Sequence, residues 1–233
     1  NHPSAIEPAS PRWLESLGLL GQLSMEAGRY EDAIRAFSSL RAAQPRFKET
    51  LINLVRALLA AKQMPRARSE LLLAVARWPD DAQLRFNEAI VIHSMDGDDA
   101  GIEAMKSVLE VDPEHPGALN FIGFTWAEQS RNLKEAESMI RRALAREPQN
   151  GAVIDSLGWV LFRKGKLEEA EAILRRALSI EPLHGEIYFH LAVVLKARRK
   201  IDEARKAFEE ALKKTSDEEE KQRFKRVFGE EVL

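Results

Sequence analysis

Five prolines stand in register along this chain. Pro45, Pro79, Pro113, Pro148 and Pro182 are separated by 34, 34, 35 and 34 residues. Each closes a run of helix-favouring residues. Proline ends a helix there because it lacks the amide donor and biases its predecessor out of the helical region. A period of this length means that one supersecondary unit recurs and that each copy buries its apolar face against the next.

The rest of each unit keeps the same step. A small or slim residue recurs in a first helix at Gly21, Val55, Ala89, Gly123, Gly158 and Ala192. A second recurs early in a second helix at Ala33, Ala67, Gly101, Ala136, Ala170 and Ala204. Small side chains at both places let two antiparallel helices approach closely, where a large one would force the axes apart. Apolar residues at helical spacing surround them, for example Ile154, Leu157, Leu161 and Leu174. Short turns such as Ala27-Gly28-Arg29 and Lys164-Gly165-Lys166 separate the two helices, with glycine as the stop. The units are 14–47, 48–81, 82–115, 116–150, 151–184 and 185–215, and the extra residue of the fourth falls near Ser130-Arg131-Asn132.

A 34-residue helix hairpin with Leu-Gly in its first helix, Ala early in its second and Pro at its end resembles the tetratricopeptide repeat (TPR). The unit from Asp155-Ser156-Leu157-Gly158-Trp159 to Pro182 carries the pattern most fully, and the unit with Glu88-Ala89 and Gly101 carries it least. The resemblance covers about residues 14–215. It implies an all-α, right-handed α-solenoid of six TPR hairpins, and a protein that binds other polypeptides. The stretch Leu119-Asn120-Phe121-Ile122-Gly123-Phe124-Thr125-Trp126-Ala127-Glu128, followed by Asp155-Ser156-Leu157-Gly158-Trp159, resembles the paired repeats near the end of bacterial envelope TPR proteins. Several of those are lipoproteins that bridge a partner to the outer membrane. That likeness implies a periplasmic, outer-membrane-associated setting, with the cytoplasm as the alternative. The lipidated N-terminal cysteine is missing, as it would be from a trimmed chain.

The ends differ from the repeats. The first thirteen residues are rich in proline and aperiodic, which predicts a lead-in or linker, although Trp13 is also placed to cover the open face of the first unit. The opening Asn1-His2-Pro3-Ser4 has no Met, as expected of a processed or trimmed piece of something longer. Residues 216–233 hold Ser216-Asp217-Glu218-Glu219, a helix start with a capping-box glutamate, followed by Phe224, Val227 and Phe228 on one face. This predicts a capping helix over the last apolar surface, with its more polar side outward.

Composition narrows the functions. With 35 basic and 37 acidic side chains, no global charge draws the chain to nucleic acid or to an anionic membrane. Cysteine is absent, which removes disulfides and thiolate metal sites. No apolar run reaches the roughly 18 residues of a membrane span, and no signal-peptide pattern is present. Phosphate-loop, His-Glu-x-x-His and Gly-x-Ser-x-Gly signatures are missing too. The five histidines are scattered, and Asp96-Gly97-Asp98-Asp99 reads as an acidic turn rather than a calcium loop. These absences predict a non-enzymatic protein with no cofactor and no metal.

In a hairpin stack the first helices line an extended binding face. Helical spacing places on it Gln22, then Arg56, then Phe86, Ile90 and His93, then Asn120, Phe124 and Ala127. Asp155, Trp159 and Phe162 follow in the fifth unit, and Phe189, Val193 and Lys196 in the sixth. From the third unit onward this face is apolar and aromatic, the character of an interaction site if it stands open to water. Phe86, Phe162 and Phe189 also suit packing between neighbouring units. Ile90, Phe124 and Trp159 occupy the slot that varies most with ligand in the repeats the chain resembles. His93 and Asn120 are suited to orient a peptide backbone. A charged clamp for a terminal carboxylate is excluded, because Gly18, Gln22 and Ile52 leave Arg56 alone. The expected function is a scaffold or adaptor that takes a protein or peptide segment through apolar and aromatic contacts. The alternative is a structural or self-assembling module, as a homo-oligomer or against another part of a larger TPR protein.

Overall fold

Alternating long helices and tight turns run through the whole of the described chain. The structure, a computed structural model, describes residues 10–230. Among the described residues there are thirteen helices. The first unit by contact, Asn1–Ser107, holds α1 (Pro11–Glu26), α2 (Tyr30–Ala43), α3 (Lys48–Ala60), α4 (Met64–Arg77), α5 (Ala82–Asp96) and most of α6 (Asp98–Val111). The second, Val108–Leu233, holds α7 (Pro116–Glu128), α8 (Leu133–Arg146), α9 (Gly151–Arg163), α10 (Leu167–Ile180), α11 (Gly185–Ala197), α12 (Ile201–Lys214) and α13 (Glu218–Glu230). The fold is all-α: paired TPR hairpins followed by a capping helix.

Each hairpin closes on the small residues that set its period. A Cβ on Gly158 would stand 2.6 Å from Leu174 Cγ, so α9 meets α10 at a distance that only glycine permits there. The turn between them puts Gly165 at a φ of +76°, a left-handed conformation that costs glycine little. The turn after α7 is one residue longer and takes Ser130 and Asn132 through the left-handed region. The inserted residue of the fourth repeat is absorbed there without disturbing either helix.

In the first unit Phe37, Leu51, Leu54, Leu58, Leu71 and Leu84 form a buried core. Lys48, at the start of α3, reaches Asp81, the N-cap of α5, at 2.6 Å. In the second unit the core runs from Leu119 through Ile140, Ile154, Leu157, Leu174 and Ile187 to Phe224 of α13. Ion pairs repeat with the helices: Glu137 of α8 is held by Arg141 and Lys164. One repeat later the buried Glu171 is held by Arg175, Arg198 and Lys200.

The ends depart from expectation in two details. Pro11, Arg12 and Trp13 form the first turn of α1 rather than a lead-in, because Ser10 caps the helix through the Trp13 amide and Pro11 needs no donor at the first position. Residues 1–9 of the expected lead-in lie outside the described residues. At the other end Asp217, not Ser216, caps α13, with its carboxylate accepting from the amides of Glu219 and Glu220 at 2.8 and 3.1 Å.

Candidate functional site

In the second unit the first helices α7, α9 and α11 pack side by side, and the residues expected to line a binding face lie on them. Their packing is tighter than single-helix spacing suggests. Asp155, Trp159, Phe189 and Val193 are buried, Trp159 with 4% of its surface exposed. The continuous open stripe expected from helical spacing is closed at these four positions and at Ala127, which is fully buried. Asp155 and Trp159 meet His190 of the neighbouring first helix, and Val193 belongs to the buried core of the unit. Phe189 stacks on Phe224 of α13 with ring centroids 4.2 Å apart and planes 4° from parallel. Asn120, Phe124 and Phe162 are only half-buried and keep surface open to water.

A buried polar contact organises this region. His190 Nδ1 lies 2.8 and 2.9 Å from the two carboxylate oxygens of Asp155, joining α11 to α9. The imidazole stacks on Trp159 at 4.3 Å between centroids, and Phe124 leans against it at 6.1 Å. Phe162 packs against Trp159 at 5.0 Å, and the Arg163 guanidinium lies 5.8 Å from the centre of the Trp159 ring. Burial would lower the His190 pKa, but the Asp155 carboxylate, aided by Glu186 and Glu128, more than offsets this and raises it above its ordinary value. Glu186 is pulled the other way: burial would raise its pKa, and His190 and Arg223 bring it below the usual range. The indole Nε1 of Trp159 and the side-chain oxygen of Asn120 are buried atoms without a hydrogen-bond partner.

His190 stood among the scattered histidines of the sequence. The signal that marks it is its spacing of 35 from Asp155, one repeat plus one residue. At that offset the two side chains meet between α9 and α11. Lys196 is engaged by the cap, donating to the Phe228 carbonyl with its ammonium 4.4 Å from that ring's centre.

The first unit carries the remaining positions on its own helices. Phe86 and Ile90 are half-buried on α5. His93 is drawn to its own hairpin, with Nε2 3.0 Å from Asp98 Oδ1 and its Cβ so near Gly101 that a side chain there would stand 2.7 Å away. Its side chain keeps 36% of its surface exposed. Gln22 and Arg56 meet across a cleft of about 280 Å³, with Met25, Glu26, Phe37 and Asn53.

Among the described residues no group of three or more His, Cys, Asp or Glu side chains is arranged to hold a metal. None of the described helices is long and apolar enough to cross a membrane.

Comparison with known proteins agrees with the repeat architecture. The family described as the cilia and flagella-associated protein 70 C-terminal domain matches residues 7–227. A TPR repeat-containing protein of Pseudomonas aeruginosa, PA4667, is 31% identical over 145 residues, which is 61% of this chain and 24% of that protein. The chain spans about a quarter or less of the curated relatives it matches. Among solved structures, PilW, a type IV pilus biogenesis factor, superposes with a TM-score of 0.72 at 17% identity, over 91% of this chain and 98% of PilW. A thermophilic TPR protein of Thermus thermophilus, TTC0263, does so at 0.61 with 21% identity, over 78% and 98%. Those two likenesses are of fold. The chain belongs to the family of the cilia and flagella-associated protein 70 C-terminal domain, a TPR family, and is related to bacterial TPR repeat proteins.

Proposed function

We propose that the chain is a non-enzymatic scaffold that holds a segment of a partner protein against its first helices. In the second unit the contact surface is Phe124 and Phe162 with Asn120 beside them, and the partner docks through apolar and aromatic contact. The observation that carries this reading is that both phenylalanines are half-open while resting on the buried Trp159–His190–Asp155 cluster. Aromatic side chains held in place lose little entropy on binding, which is what makes them effective anchors. Asp155, Trp159, Phe189 and Val193 serve this surface from beneath, as its support. Phe86 and Ile90 offer a separate apolar patch on α5.

The test is affinity capture followed by direct titration of the captured, purified partner. Replacing Phe124 and Phe162 with alanine should weaken binding by at least about tenfold, the loss of one or two anchors. Circular dichroism should show unchanged helix content. Leu183, exposed on a turn, supplies the control substitution. Binding that survives the double change and falls with the control would sink the reading.

A further inference from the structure

The turn into α9 holds the one asparagine–glycine pair of the chain. Asn150 precedes Gly151, and every other asparagine precedes a residue with a side chain. An asparagine before glycine is open to attack on its own side-chain amide, because no Cβ on the next residue shields the main-chain nitrogen. In that reaction the Gly151 nitrogen gives up its proton and bonds to Cγ of Asn150. The Cγ–Nδ2 bond breaks, Nδ2 leaves as ammonia with the proton, and a five-membered succinimide remains. Water then opens the ring, either to aspartate or to isoaspartate, whose main chain runs through the former side chain.

Both residues are needed for packing, and the same contacts oppose the reaction. Asn150 is the N-cap of α9: its Oδ1 accepts from the Val153 amide at 3.2 Å, and its Nδ2 donates to Glu147 Oε2 at 2.7 Å. An aspartate would keep the first bond but set a second carboxylate against Glu147. Gly151 is buried beneath Glu181, the residue that closes α10, and a Cβ there would stand 2.6 Å from the Glu181 carboxyl carbon. Glu181 Oε1 accepts from the Gly151 amide at 3.0 Å. That bond satisfies one of the orphan amides at the start of α9, and it occupies the nitrogen that would attack. The backbone adds a second obstacle. Asn150 is extended, with ψ at 108°, which turns the Gly151 nitrogen away from the Asn150 side chain.

We propose that Asn150-Gly151 is a latent deamidation site, locked by Glu181 for as long as the base of the α9–α10 hairpin stays closed. The lock reaches from the first residue of α9 to the residue that ends α10, so opening that base frees the nitrogen and the ψ angle together. Conversion then makes the opening harder to reverse. Aspartate repels Glu147, and isoaspartate lengthens the main chain where the cap must form. The helix that loses its start is the one that carries Asp155 and Trp159.

The test uses the whole chain, incubated at mildly alkaline pH, where the nitrogen loses its proton more readily. The tryptic peptide spanning 147–163 is followed by mass spectrometry. The parent chain in urea gives the unlocked rate, and the folded parent should convert at least about tenfold more slowly. Glu181→Ala should approach the unlocked rate with its helix content unchanged by circular dichroism. Glu181→Gln keeps a side-chain oxygen for the Gly151 amide and should stay near the parent rate. Amide exchange at Leu157 and Val160, in the middle of α9, should be as slow in Glu181→Ala as in the parent, which traces the faster conversion to the freed amide. Slow conversion in Glu181→Ala would overturn the proposal, as would a folded parent that converts as fast as in urea. So would exchange in mid-α9 that accelerates as much as the conversion, since general unfolding would then be the cause.

Discussion

His190 lies flat against Trp159, their ring centroids 4.3 Å apart, while its Nδ1 meets the Asp155 carboxylate at 2.8 Å. One side chain of α11 thus holds two residues of α9, one by charge and one by its ring face. Burying charge is costly unless the partner is well placed, and here both oxygens of Asp155 are within reach. The pair fixes the register of two successive first helices and stiffens the surface on which Phe124 and Phe162 rest.

Removing His190 should therefore destabilise the second unit strongly. His190→Ala leaves a buried carboxylate without its partner, at a cost of about 3–5 kcal/mol. Asp155→Ala should cost a similar amount, and the double substitution clearly less than the sum. Urea unfolding of the four proteins measures the coupling. Additive losses would mean that the two groups do not act as a pair.

The same pair predicts a pH dependence of defined sign. The folded pKa of His190 is raised above its ordinary value of about 6.5. Its stabilisation is fully present below that value and is lost as pH rises through the folded pKa. Asp155, Glu186 and Glu128 favour the charged ring, and Arg223 holds Glu186 in its charged form. His190→Gln keeps a donor but does not titrate. The stability difference between parent and His190→Gln should shrink from neutral to alkaline pH in urea titrations. A difference that stays constant would contradict a charged histidine.

The repeat was legible because its determinants are local. Prolines, glycine turns and small residues act within one hairpin, so their spacing reads directly as helices. The choice between open and closed aromatic positions was not legible. Phe124 and Trp159 hold the same place in successive repeats, yet one is half-open and the other buried. What the next first helix brings against the ring decides this, as His190 of α11 does for Trp159, and no single helix encodes it. His190 was hidden for the same reason, its partner lying a repeat away. The cap shifted from Ser216 to Asp217 because two hydroxyl- or carboxylate-bearing residues stand side by side and only the backbone chooses between them.

Gly158 offers a test of the close approach that underlies the period. An alanine there would place its methyl 2.6 Å from Leu174 Cγ inside a buried contact between α9 and α10. Overpacking costs about 1–3 kcal/mol. The helix preference of alanine over glycine returns roughly 1 kcal/mol at most. Gly158→Ala should thus lower stability in urea unfolding. Combined with Leu174→Ala it should lose less than the two single effects together, because the second change vacates the space the first requires. A stabilised Gly158→Ala would show that the hairpin has room to spare.

The cap should behave as a lid that opens alone. Phe224 is fully buried and stacks on Phe189, while Arg223 of the same helix pairs with Glu186 of α11 at 2.7 Å. Phe224→Ala removes a buried aromatic worth about 3–5 kcal/mol. As α13 makes its helix contacts with α11, the loss should be spent on releasing that helix rather than on unfolding the unit. Hydrogen exchange should accelerate across Glu218–Gly229 and remain slow in α9 and α10. Phe189 then comes into contact with water, and an apolar dye should bind more strongly than to the parent chain. Equal acceleration in α9 and α10 would mean that the cap and the hairpins beneath it unfold as one body.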